Sequence, residues 1–428
     1  MTDSVSIDLG EDRGRIEGRC TSEFQPVLDV FVENFHERDE VGASACITYE
    51  GETVFDVWGG VAEPNSGSVW TEDTVSLIFS STKGIMSLVA NMLIDQGLLD
   101  PFQPVAEIWP EFACNGKETA TVRMMLDHTV GVPALRTPVK PDGFYDWDYM
   151  CDLVAAEHAF WVPGSKQGYH GITIAWTAGE LIRRVTGKSV GANIQELLSE
   201  PLGLDLWCGL PEEIESRVAP MIPHVPAEDE VPGAMFQKAM EDPESIPGLF
   251  LTNDGGWASG LTVASNSNRT KVDERASHAA EIPAANGISN ARGMAGAYRP
   301  FALGGTADGR TFVGPDTLVG MEEKSAATNH NETFLNSAAW SLGFMKSMDN
   351  RRQPYGGTDS IIIGRRAFGH AGAGGSIGFA DAEAGMSFAY TMNRMGGTLA
   401  LTDRCQLLVD TAYRTVGFRT DAPGCWVR

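Results

Sequence analysis

The sequence predicts a mixed α/β protein of the α+β type. One antiparallel sheet, built from both ends of the chain, is flanked by helices, and a mainly helical lobe is inserted between the ends. Three observations predict it. Near the start, ASACITYEGETVFDVWGG (43–60) reads strand, turn at Glu50-Gly51, strand. From about 335 the chain breaks into short β-like runs split by glycines: AAWSLGFMKS, DSIIIGRRAFGHAG and SIGFADAEAGMSFAYTMNRM. The stretch between carries apolar residues mostly at helical spacing. The expected lobes are 1–78 with 300–428 for the sheet, and 79–299 for the helical insertion.

The elements follow in order. FQPVLDVFVENFHE (24–37) has helical periodicity. SSTKGIMSLVANMLIDQGLLD (80–100) places Ile85, Met86, Val89, Met92 and Leu93 on one stripe, which predicts an amphipathic helix ending near Gly97. Helical patterns continue through 104–109, 121–127, 148–158 and 173–187. Residues 211–247 hold seven prolines and many acids and read as an irregular surface excursion. Met235, Phe236 and Phe250, in or just after it, either line an acyl pocket or pin the loop to the core. Residues 290–303 are helical with Ser289 or Asn290 as cap, and LTDRCQLLVDTAYRTVG (401–417) is a closing amphipathic helix.

Of the 428 residues, 43% are hydrophobic and 21% charged, and the net charge is −25. Such a chain is ordinary for a globular protein, and its charge repels phosphate backbones and anionic membranes. The seven cysteines are dispersed with no C-x-x-C pair, which argues against a disulfide framework or a zinc site. The first residues show no basic and apolar leader, and no stretch approaches the ~18 apolar residues of a membrane helix. A cytoplasmic location is the expectation.

Three motifs carry chemistry. Ser80 opens a helix after the β-like run 75–80, and Lys83 follows on the same face, within reach of the Ser80 hydroxyl. Ser80 is either only a helix cap or a nucleophile at the positive end of the helix dipole. A free lysine titrates near ~10.4, so burial or a neighbouring cation must lower Lys83 if it is to act as a base. Tyr169, in VPGSKQGYHGIT (162–173), is delivered by a Pro-Gly loop just before a helix. It relays a proton if a cation lowers its pKa. Its neighbour His170 reads as a hydrogen-bonding or packing residue. FGHAGAGGSIGF (368–379) has five glycines between β-like flanks, suited to aiming a backbone N–H into a site. It also contains a G-x-S-x-G around Ser376, but that elbow needs a helix after the serine, and a strand follows here.

Together these stretches resemble the serine β-lactamase and penicillin-binding-protein superfamily, and within it the β-lactamase-related family VIII carboxylesterases. FSSTKGI (79–85), MMLDHTVGVP (124–133), GYHGIT (168–173), EIPAANGISNARGMAGAYRPFALGG (281–305) and GHAGAGGSIGFAD (369–381) occur in that family's order. The resemblance implies a β-lactamase-like fold with Ser80 as nucleophile and Lys83 and Tyr169 sharing the proton transfers. It implies an oxyanion hole from the backbone N–H groups of Ser80 and Ala373, and His370 and Gly372 on the substrate-binding strand. His128 falls in a recurrent segment whose role is structural. Two departures bear on substrate. Gly171 stands where a Tyr-x-Asn motif has its amide, and His370 stands in place of the K-T-G lysine. Both favour a neutral ester over a β-lactam or peptide carboxylate. The expectation is a serine carboxylesterase for a small-molecule ester, with no metal or organic cofactor. A transacylase, an amide or lactone hydrolase and a weak β-lactamase use the same machinery, and a silent binding protein on the same fold is the rival of another class.

Overall fold

Strands from the two ends of the chain share one sheet in the computed structural model, which describes residues 2–258, 270–353 and 359–428. The strands are β1 (Thr2–Asp8), β2 (Arg15–Thr21), β3 (Gly42–Tyr49), β4 (Glu52–Glu63), β5 (Phe368–Ala371), β6 (Ile377–Asp381) and β7 (Met386–Met392). Their order is β1-β2-β4-β3-β7-β6-β5, with every pair antiparallel. The seam between the chain ends is β3 against β7, in register from Ala43 opposite Met392 to Tyr49 opposite Met386. The β1–β2 hairpin is not evident in the sequence. Most of β1 is exposed at the sheet edge, and only Val5 and Ile7 turn to the core, too short an alternation to mark a strand by itself.

Helices cover both faces. α1 (Gln25–Glu37) and α5 (Asp403–Thr415) lie on the face that carries Ile47, Phe55 and Phe388, with Phe31 against Phe55 and Tyr413 stacked on Phe379. α4 (Ala291–Ala302) lies on the opposite face. Ser44 accepts the N–H of Ala291, and Ser387 donates to the carbonyl of Ala295. Asn290 caps α4 by accepting from the N–H of Gly293, a contact worth about 1 kcal/mol. α4 crosses the expected lobe boundary at 299/300, and we propose that it belongs with the sheet.

α2 (Ser81–Asp95) departs from the amphipathic expectation, since residues 81–93 are all buried. The donors of Ser87 and Asn91, off the apolar stripe, bond to carbonyls within the protein. Ser87 donates to the carbonyls of Lys83 and Gly343, and Asn91 to those of Ser87 and Leu342. α2 therefore runs through the centre, between β5 and α3 (Ile174–Thr186). The proline-rich segment also differs from expectation. It holds a helix over Ala234–Glu241, and another, Ile246–Thr252, begins within it. Pro232 and Pro243 bracket the first, while Pro247 sits in the first turn of the second, where its missing N–H costs nothing. Among the described residues no helix is long and apolar enough to cross a membrane.

A buried ion pair joins the C-terminal helix to the sheet. Arg404 of α5 lies 2.9 Å from Glu40, which also accepts from the Tyr390 hydroxyl of β7. Removing the arginine leaves a carboxylate in the core. Arg404→Leu is expected to cost roughly 3–5 kcal/mol in denaturant unfolding, and Tyr390→Phe considerably less. Equal, small losses for both would show that the pair contributes little.

Candidate active site

Ser80 sits at a crossing of secondary structures. A four-stranded patch, Leu206–Trp207, Ile288–Ser289, Val75–Leu77 and Val218–Ala219, delivers the chain to residue 78. Phe79 then takes a positive φ of 42°, a conformation costly for a side chain with a Cβ, and turns the backbone into α2. The first helical N–H groups are met by the backbone itself, Ser81 to Ile78, Thr82 to Phe79 and Lys83 to Ser80. The Ser80 side chain caps nothing. Its Oγ lies 2.9 Å from Lys83 Nζ and 2.9 Å from the Tyr169 hydroxyl.

Lys83 is fully buried. Besides Ser80, its Nζ donates to the carbonyls of Gly171 and Ala284, both at 2.7 Å. No carboxylate is among these partners, and burial holds the amine well below the ordinary lysine value. Tyr169 behaves oppositely to the sequence-based condition. Although Lys83 Nζ lies 4.8 Å from its ring centre, burial raises the phenol above its ordinary value, so it keeps its proton.

Tyr169 is fixed by a segment the motif reading passed over. Asn331, fully buried, accepts from the backbone N–H groups of Tyr169, Thr333 and Phe334. Thr333 donates to the carbonyl of Tyr169, and the Phe334 ring stacks on Tyr169 with centroids 4.5 Å apart. These residues lie in the polar run 324–337, where only the N-x-T turn signal of Asn331 marks them.

The three histidines nearby pack as neutral rings. His170 donates from Nδ1 to the carbonyl of Gly168 and accepts at Nε2 from the N–H of Val132, and burial drops its pKa to about 3. His128 accepts from the N–H of His170 and contacts the Tyr169 ring. His370, on β5, is fully buried with its ring 6.0 Å from that of Tyr169, and burial holds it well below the usual histidine range. The position of the family's lysine therefore carries no charge here.

The glycine-rich turn lies directly beside Ser80. A Cβ on Gly372 would stand 2.3 Å from the carbonyl oxygen of Ile78 and from Ser376 Oγ. Ser376 is fully buried, donates to that same carbonyl at 2.9 Å and touches Ser81 Oγ at 3.1 Å. It ties the turn to the strand before Ser80, and β6 rather than a helix follows it. Among the described residues, the backbone N–H groups of Ser80 and Ala373 have no protein acceptor.

The apolar residues singled out in the loop also converge here. The Phe250 ring fills the space beside Gly171, where a Cβ would lie 2.1 Å from it, and meets Tyr169 edge-on at 6.4 Å. Met235 and Phe236 line a cleft with Phe334, Met345 and Ile361.

Comparison with known proteins identifies the family. The β-lactamase family model matches residues 28–411. The chain is 34% identical over 410 residues to the esterase/β-lactamase LipL of Mycobacterium tuberculosis, covering 94% of this chain and 88% of the relative. The crystal structure of a family VIII carboxylesterase superposes with a TM-score of 0.79 at 34% identity, covering 94% of this chain and 99% of the other. A penicillin-binding-protein homologue from Caulobacter crescentus superposes at 0.76 with 33% identity over 94% and 99%. With a serine, a buried lysine and a tyrosine meeting at the mouth of α2 and the family's motifs in order around them, this chain belongs to the β-lactamase family.

Proposed function

We propose that this protein is a serine carboxylesterase working through an acyl-enzyme on Ser80. The observation that carries this reading is the set of partners around Lys83. Two carbonyls and one hydroxyl surround its nitrogen. A neutral amine spends two N–H groups on the carbonyls of Gly171 and Ala284, and its lone pair then faces the Ser80 hydroxyl. Burial keeps the amine neutral and the Tyr169 phenol protonated, so the two groups divide the work as base and acid.

Lys83 takes the Ser80 proton as Oγ attacks the ester carbonyl. The backbone N–H groups of Ser80 and Ala373 receive the oxyanion. Tyr169, 2.9 Å from Oγ, gives its proton to the leaving alkoxide, and the proton held on Lys83 restores the phenol. Water then attacks the acyl-enzyme by the same steps in reverse. The neutral His370 and the Phe250 ring beside Gly171 favour an ester over a β-lactam, since they supply neither a fixed charge nor a side-chain amide. A cytoplasmic location is supported by seven cysteines that form no disulfide.

A fluorophosphonate is expected to label Ser80, read by peptide mass spectrometry, and Ser80→Ala to abolish p-nitrophenyl butyrate hydrolysis. An adduct on Ser376 would overturn the assignment. The pH profile of kcat/KM is expected to rise on a single limb as Lys83 loses its proton, with a midpoint well below ~10.4. No falling limb from Tyr169 should appear below about pH 10, the ordinary tyrosine value, because burial raises its pKa. A rising limb centred at the ordinary lysine value would remove Lys83 as the base. Gly171→Asn drives a side chain into Phe250 and is expected to lower ester kcat/KM roughly a hundredfold by displacing the pocket wall. Adding Phe250→Ala should recover part of the loss, and no rescue would mean that the two positions do not compete for space.

A further inference from the structure

The cleft beside Tyr169 holds one acid among apolar walls. Asp359 lines it together with Phe236, Phe334, Met345, Ile361 and Leu399. One of its walls touches a proposed reacting group, and two others adjoin the β5 strand and the glycine-rich turn through the backbone. Phe334 stacks on Tyr169. Met345 bridges to Gly369, next to His370. Leu399 follows Thr398, whose carbonyl accepts the N–H of Gly374, next to Ala373. The cleft therefore adjoins the outer side of β5 at Gly369 and reaches Tyr169, whose hydroxyl meets Ser80, through the Phe334 ring. This is the space that a substrate extending from Ser80 would enter.

Asp359 is not an ordinary structural carboxylate. Among the described residues it forms no ion pair, and its side chain is supported only by Thr398. Other buried carboxylates are better provided for: Glu40 has Arg404 and Glu180 has Arg183 and Arg184, while Asp381 accepts from the Tyr413 hydroxyl and the N–H groups of Glu383 and Ala384. Desolvation without a counter-ion raises the Asp359 pKa and makes the ionised form costly, a cost that a bound cation relieves.

The rest of the site is prepared for a positive group. Lys83 is held neutral, and His128, His170 and His370 are all uncharged, so no fixed cation stands in the way. Two aromatic residues, Phe236 and Phe334, are among its walls, of the kind that attract an ammonium. The net charge of −25 draws cations toward the surface and repels carboxylate-bearing substrates.

We propose, building on the esterase reading, that the substrates are esters carrying an ammonium group. Asp359 serves as its counter-ion, and the apolar walls receive the carbon chain between ammonium and ester. Asp359 is then a specificity residue that touches substrate remote from the reacting carbonyl.

Two matched pairs of esters test this: p-nitrophenyl 6-aminohexanoate against p-nitrophenyl heptanoate, and 6-aminohexyl acetate against heptyl acetate followed by pH-stat. Each pair differs only in replacing a terminal methyl by an ammonium, on the acyl or the alcohol side. The wild-type enzyme is expected to prefer the ammonium ester in at least one pair by roughly tenfold in kcat/KM, against its hydrophobic walls. Asp359→Asn should remove that preference while changing the neutral ester less than about twofold, and Asp359→Leu should favour the neutral ester. Equal or poorer turnover of the ammonium ester in both pairs overturns the proposal, as does an Asp359→Asn loss shared equally by both members. If wild-type enzyme cleaves none of the four, the esterase reading itself fails. Turnover of the neutral esters alone leaves that reading intact and removes only the role of Asp359.

Discussion

The burial of one amine organises this molecule. Lys83 loses its hydration at the core of the protein and receives two carbonyls and a hydroxyl in exchange, none of which carries charge. The carbonyls come from Gly171, in the loop after Tyr169, and Ala284, just before the strand leading into α4. Two remote stretches must therefore close on the start of α2 for the amine to be satisfied at all. The burial of α2 over residues 81–93 follows from the same demand. A half-exposed helix would leave Lys83 near water, protonated, with its lone pair gone.

The same closure explains the local strain and the crowding. Phe79 accepts a left-handed backbone so that Ser80 leaves the helix cap and faces the lysine. The Gly372 turn presses on Ile78, and Ser376 bonds to the same carbonyl, which ties the glycine-rich turn to the chain just before Ser80. Tyr169 is clamped by Asn331 and Thr333 at its backbone and by Phe334 at its ring, so its hydroxyl stays on Ser80 without a cation to hold it. A lysine and three imidazoles whose charged forms burial disfavours, together with a protonated phenol, make a candidate centre with little fixed charge. In such a low-dielectric centre, oriented N–H groups stabilise a developing oxyanion more effectively than they would in water. It also leaves Asp359 as the one strong electrostatic feature of the adjoining cleft.

Much of this was legible in the chain. The hairpin at 43–60, the helices at 25–37, 81–95, 291–302 and 403–415, and the glycine-split strands near the end each announce themselves by local periodicity. The reacting groups were legible too, because Ser80 and Lys83 are one helical turn apart and Tyr169 sits in a recognisable loop. What escaped had no local signal. β1 is an edge strand with only two core-facing apolar residues, Val5 and Ile7. The helix at 234–241 hides between prolines. Asn331, Thr333, Ala284 and Asp359 matter only through what long-range folding brings against them.

The sequence by itself determined which residue types were available and on which local frames: a serine and lysine sharing a helix face, a tyrosine before a helix, glycines in a turn, neutral residues where relatives of this fold carry an amide and a lysine. Only the tertiary structure decided their protonation. Spacing cannot say whether a lysine is wet or dry, and a proton-relaying tyrosine invites the expectation that a cation lowers its pKa. The assembled core reverses it, because desolvation depends on every chain segment that closes over a group. That closure pushes the amine down and the phenol up, and so separates the base from the acid.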